Sequence, residues 1–282
     1  MFQSIGALLN RLPEWKANLH QRAMRWAKNH AGGEMPTVIS LNYDLLADYG
    51  LIDADLGGLP DYRCDIATPA YRDAMKAGAL LKLHGSMNWL YCPACHRLEV
   101  GVSQRGNTYK AALRLFRGAQ PDTMANLDSA YGSRDLRCRS CSCGYQPVMI
   151  TPTALKDYRN PHIARVWYEA ARELQQASRV VFIGYSLPWD DLEVIYLLKR
   201  GMGRLRPDQV TVVASEHADK DIEKDDAGQR YMAIFGRAVD WQPLGFERWL
   251  DSVESPVTRR TSRPRTPRGR KAARPRASRP RR

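Results

Sequence analysis

Acidic residues are missing from the last stretch of this chain, and net charge is missing from the rest. Of 43 Lys and Arg residues, twelve lie between Arg259 and Arg282, where no Asp or Glu occurs. Removing them leaves 31 basic against 30 acidic residues in Met1–Thr258, so the formal +13 belongs to a tail and the body is near neutral. Long apolar runs are lacking too: none approaches the roughly 20 residues of a membrane span. The opening MFQSIGALLNRLPEWKANLHQRAMRW is broken by polar residues where an export signal would carry an apolar core. Cysteine is scarce, at six residues, and five of them fall in two clusters, with Cys64 apart. Clustered Cys-x-x-Cys pairs without an export signal point to metal binding rather than disulfides, and the expected location is cytoplasmic. Gly32-Gly33 lacks the strand–glycine–helix context of a loop that cradles phosphate.

What is present suits a folded α/β body. The chain has 282 residues, 44% of them apolar or aromatic, enough for one large core with a small insert. Leu8, Leu12, Trp15, Leu19, Ala23 and Trp26 recur at helical spacing, with a kink or restart expected at Pro13. Thr37–Leu41, Ala79–Leu83, Arg179–Ile183 and Val210–Ala214 read as short buried strands. Helices are expected from Tyr43, from Pro161, over Leu192–Lys199, over Gln229–Phe235 and from Phe246. Strands of this kind alternating with helices predict a Rossmann-like parallel sheet with helices on both faces. Ligands bind such sheets beyond the C-terminal strand ends, where Asn42, His84, Gly184 and Ser215 all fall.

The expected organisation is an α/β domain over residues 1–91 and 146–252, an inserted zinc module over 92–145, and a basic tail over 253–282. The tail, rich in Arg and Pro, has too little apolar surface to offset its ordering entropy and is expected to be disordered. Its twelve cations suit salt-dependent contact with nucleic acid, although no aromatic residue interleaves them. That supports an alternative in which the chain is a non-enzymatic zinc protein contacting nucleic acid through residues 259–282. No membrane partner is expected.

Cys92-Pro-Ala-Cys95 and Cys138-Arg-Ser-Cys141 form two knuckles, 42 residues apart, that can offer four thiolates to one tetrahedral zinc. Cys143 can exchange with a member of the second pair, and His96 is a weaker candidate. A closed four-thiolate site leaves no position for substrate, so its role would be structural. The alternative is reduced thiols packed as small apolar residues.

The runs SLNYD (Ser40–Asp44), KLHGS (Lys82–Ser86) and GYSLP (Gly184–Pro188), in this order with the cysteine pairs between the second and third, resemble the sirtuin-like (SIR2-like) NAD-binding proteins. The resemblance covers residues 37–214, roughly two thirds of the chain, and KLHGSMNW, ITPTALK and GYSLPWDD look closer to the bacterial branch than to histone deacetylases. It implies NAD as cofactor and cleavage of the nicotinamide–ribose bond, either as an NAD hydrolase or as an NAD-dependent protein deacylase. Asn42 and His84 would flank the nicotinamide ribose, while Asp44, Gly184, Ser186 and Ser215 would contact the nucleotide. The family opens with a buried strand and a glycine-rich GAGxS-type loop that are absent here. The resemblance therefore also implies an incomplete sheet, with apolar edges exposed, and weak NAD binding by this chain. Each motif has a plainer reading: Asn42 as a helix cap, Asp44 as first-turn charge, His84 as a core histidine, GYSLP as a strand-to-helix turn.

Overall fold

The computed structural model describes residues 19–52, 58–101, 137–150 and 159–254. Residues 5–18 of the amphipathic helix expected over residues 5–30, most of the cysteine-bearing insert, the TPTALK run and the basic tail lie outside the described residues.

Among the described residues, nine short strands fall into three sheets. The first is parallel, in the order β1 (Val38–Ser40), β3 (Lys76–Lys82), β2 (Leu59–Asp61). The third is also parallel, in the order β7 (Val180–Ile183), β8 (Val210–Val213), β9 (Asp240–Gln242). Between them in sequence comes an antiparallel sheet in which β4 (Gly85–Tyr91) is flanked by β5 (Leu98–Val100) and β6 (Gln146–Met149). The molecule is thus α/β, with its parallel strands divided between two sheets. Among the described residues β1 pairs only with β3 and β7 only with β8. The difference shows in burial: all four residues of β8 are buried, whereas Ile183 on the edge strand β7 is 36% exposed.

Helices tie the two parallel sheets together. Helix α1 (Leu19–His30) packs on α2 (Leu46–Leu51), which covers the first sheet. On its other side Ala23, Leu19 and Trp26 join Val213, Trp249 and Leu250, so α1 also reaches the third sheet and α7 (Phe246–Glu254). Helix α3 (Pro69–Arg72) is a single turn after β2. Helix α4 (Pro161–Gln176) starts where the sequence places it: Asn160 caps the His162 and Ile163 amides, and Pro161 supplies a preset φ at the first position. Its Ile163, Val166, Ala170 and Leu174 face the main core, together with Leu80 and Leu81 of β3 and Val194 and Leu198 of α5 (Leu192–Gly201). Tyr231 of α6 (Asp226–Phe235) closes that core against β7 and β8. No described helix is long and apolar enough to cross a membrane.

Candidate functional site

The first pair of predicted site residues is brought together by strand register. Ser40 of β1 lies opposite Lys82 of β3, and the ladder continues through Leu83 N–H donating to the Ser40 carbonyl at 3.0 Å. Two residues further, the His84 imidazole folds back onto the loop that carries Asn42: Nδ1 lies 2.9 Å from the Leu41 carbonyl. A carbonyl only accepts, so Nδ1 carries the proton and Nε2 is the basic nitrogen of the neutral ring. The backbone of Asn42 is held by Ser40, whose Oγ donates to the Asn42 carbonyl at 3.1 Å and accepts from its amide at 3.2 Å. The Asn42 residue itself is exposed and His84 is half-buried, with its Nε2 turned out of solvent.

Asp44 is differently employed. Its Oδ1 accepts from the Leu46 amide at 2.9 Å, closing the turn into α2. That helix begins at Leu46, not at Tyr43, so Asp44 rather than Asn42 secures its start, and the capping reading of Asn42 does not hold.

The second group occupies the same edge of the third sheet. The Gly184 amide extends the β7–β8 ladder by donating to the Val213 carbonyl at 3.1 Å. Gly184 has φ +68° and open space where a Cβ would stand, and Leu187 also takes a left-handed φ of +54°. The intervening turn is pinned from α6, with Arg230 Nε donating to the Ser186 carbonyl at 3.0 Å and the Tyr231 hydroxyl to the Tyr185 carbonyl at 2.9 Å. Tyr185 in turn donates to Asp191 at 2.7 Å. Ser186 and Ser215 are both exposed at this edge, and Ser215 Oγ accepts from the His217 amide at 3.2 Å. Asn42 and His84 therefore form one group, and Gly184, Ser186 and Ser215 another, each at the C-terminal edge of a parallel sheet.

The cysteine pairs meet at the far end of β4. The Sγ atoms of Cys92, Cys95, Cys138 and Cys141 all lie within 4.8 Å of one another, with Cys92–Cys141 at 3.4 Å and Cys95–Cys138 at 3.5 Å. Four thiolates about 2.3 Å from a tetrahedral ion stand about 3.8 Å apart, so the set fits such an ion. Cys143 packs beside the cluster without joining it. Burial raises the Cys92 thiol, but hydrogen bonds from the Cys95 backbone and the Cys141 thiol outweigh that and bring it down to about 6. Cys64 is a separate thiol that burial, and then Asp61 and Asp65, push well above the usual range.

Three groups to which the sequence gives no site role support this arrangement. Trp167 of α4 donates from Nε1 to the Leu83 carbonyl at 2.8 Å, beside His84. His162, one turn earlier, lies 2.8 Å from the His96 carbonyl of the first knuckle. Lys82, wholly buried at the end of β3, reaches Asp44 and Asp48. The signal available for Lys82 was a lone charge inside an apolar run, ALLKLHG. A separate cavity of about 490 Å³ lies against α4, lined by Arg63, Arg165, Arg172, Cys64, Asp65 and Glu169. Its guanidiniums already engage carboxylates, Arg63 with Asp61 and the other two with Glu169, so it is not the candidate site.

No family model matches the sequence, and a search of curated proteins finds no match. Among solved structures the chain is similar to a Sir2 enzyme described for its mechanism and regulation (17% identity, 84% of this chain, 66% of that chain, TM-score 0.41). It is also similar to Sir2 with a p53 peptide and NAD+ (15%, 84% and 68%, TM-score 0.41) and to Sir2 bound to an acetylated peptide (14%, 84% and 68%, TM-score 0.41). The chain thus spans about two thirds of the length of each.

Proposed function

We propose that this chain is a sirtuin-like NAD-binding protein whose site cleaves the nicotinamide–ribose bond, as an NAD hydrolase or an NAD-dependent deacylase. The observation that carries the reading is the pairing of Asn42 and His84 at one strand edge, joined through the His84–Leu41 hydrogen bond.

The chemistry suits these side chains. Losing neutral nicotinamide leaves an oxocarbenium-like ribose, so the reaction asks for orientation more than for a strong acid. The Asn42 carboxamide offers a donor and an acceptor at once, enough to hold a ribose hydroxyl or an incoming water. His84, with its proton fixed on Nδ1, presents Nε2 as the base that takes a proton from that hydroxyl or water. In this reading Gly184 lets nucleotide approach the backbone, and Ser186 and Ser215 offer hydroxyls to it. The four thiols hold a structural zinc that fixes the far end of β4 and leaves the reaction to the sheet edges.

Nicotinamide release from NAD tests the proposal, with the chain compared against Asn42→Ala and His84→Ala. Each variant should lose at least about a hundredfold of the rate, the usual worth of a positioned acid–base group. Release undiminished in both variants, in chains that still fold, would sink the assignment. An acyl-lysine peptide added to the same assay separates the two activities: acceleration with deacylated product marks a deacylase, whereas indifference to the peptide marks a hydrolase.

A further inference from the structure

Lys82 is the last residue of β3, two positions before His84, and its side chain has 0% exposure. Its ammonium donates to Asp48 Oδ2 at 2.9 Å and to the main-chain carbonyl of Asp44. Asp48, on α2, is almost as deeply buried, with a side-chain exposure of 4%, and its second oxygen accepts from the Tyr62 hydroxyl. Burial, and then the Asp48 carboxylate, push that hydroxyl well above its usual range, so Tyr62 remains a donor. The chain of contacts continues to Tyr71, whose hydroxyl accepts from the Tyr62 amide at 3.0 Å and donates to the Pro60 carbonyl at 2.8 Å.

Stability does not explain this group. Two charges taken out of water lose hydration that their attraction only partly returns, and well-packed apolar residues of similar volume commonly do as well or better. An apolar residue cannot grip a backbone carbonyl, however, and the segment Leu41–Asp44 depends on such grips. Its four carbonyls are all engaged: Leu41 by His84 Nδ1, Asn42 by Ser40 Oγ, Tyr43 by the Met87 amide at 2.9 Å, and Asp44 by Lys82. Three of these four donors, Lys82, His84 and Met87, come from the corner between β3 and β4. The loop bearing Asn42 is therefore moulded on the strand end that bears the base.

We propose that Lys82 is a positioning residue for Asn42, acting through the Asp44 carbonyl, with Asp48 and Tyr62 holding its ammonium in place. The catalytic part of this inference rests on the reading of Asn42 and His84 given above, while its structural part does not. It also accounts for an ion pair in a core where burial alone would favour leucine or methionine.

The test replaces the whole group by apolar residues, Lys82→Met with Asp48→Leu and Tyr62→Phe in the full chain, so that no charge or hydroxyl is left unpaired. The urea midpoint should be kept or raised, while amide exchange in residues 41–46 quickens by about tenfold or more and that of β8 stays unchanged. Nicotinamide release should fall about tenfold in kcat with KM moving less than about threefold, because alignment is lost and ligand contacts are not. Exchange at 41–46 that does not change, exchange that rises equally in β8, or a variant that fails to fold would each overturn the proposal. If the parent chain releases no nicotinamide, the NAD reading fails, and the exchange comparison still decides whether Lys82 holds the loop.

Discussion

Gly85 and Gly184 follow the two strand ends that carry the candidate site, and both have positive φ, yet they should respond differently to substitution. At Gly85, φ is +80° and a Cβ would stand 2.1 Å from the Val148 carbonyl oxygen, inside the β4–β6 ladder. At Gly184 the space is open, so only backbone strain remains, about 1–2 kcal/mol for an L-residue in the left-handed region. Gly85→Ala adds a forced shift of a paired strand, for a total of about 3–4 kcal/mol. Urea unfolding of the two variants checks this, and equal losses would show that the ladder yields freely at Val148. If the NAD reading proposed above holds, nucleotide affinity should behave in the opposite sense, with Gly184→Ala weakening it more than its small stability loss suggests. The places of Asn42 and His84 were legible in the sequence, because each closes an apolar run and register brings the two strand ends together. The contacts of Lys82 and Trp167 were not, because their partners lie 34 and 84 residues away, and the lone charge in ALLKLHG marks Lys82 without saying what it meets.

Strand and helix boundaries show the same dependence on what lies outside the segment. β3 begins at Lys76, earlier than the apolar run Ala79–Leu83, because pairing with β2 recruits Lys76–Gly78. β4 carries no strand signal in the sequence: GSMNWLY has Ser86 and Asn88 where a buried strand should be apolar. Both are buried nonetheless, and Asn88 donates from Nδ2 to the Gly101 carbonyl at 3.0 Å. This strand spans the stretch between His84 and Cys92, so the thiol cluster should govern its order. A chelator should therefore make Cys92, Cys95, Cys138 and Cys141 reactive toward a thiol reagent and lower the melting temperature. Before chelation the reagent should find Cys143 quickly and Cys64 slowly, since burial keeps the Cys64 thiol protonated. Six thiols reacting at one rate with and without chelator would refute the metal site.

The two parallel sheets depend for their mutual placement on α4 and α1, and the attachment of α1 carries a pH dependence. Arg22 of α1 bonds Asp251 and Glu254 of α7 at 2.6 Å each, at exposed positions where salt screens the gain. His20, on the same helix, packs edge-on against Phe246 with ring centroids 5.5 Å apart. Burial lowers its pKa below the ordinary 6.5, only partly offset by the charge of Asp44. The folded state therefore prefers neutral His20, whereas the unfolded chain takes up a proton near pH 6.5. Stability from this residue is fully present above that pH and is lost as pH falls from 6.5 through the lower folded value. Unfolding free energy measured between pH 8 and pH 5 should decline for the parent chain, and His20→Met should flatten the decline while leaving the value at pH 8 nearly unchanged. Because α1 touches the α2 side of the Asn42 loop as well as α7, acidification should loosen both sheets together, and amide exchange in β1 and β8 should rise in parallel. A rise confined to one sheet would mean that α1 belongs to that sheet alone and that α4 is the only strut between the two.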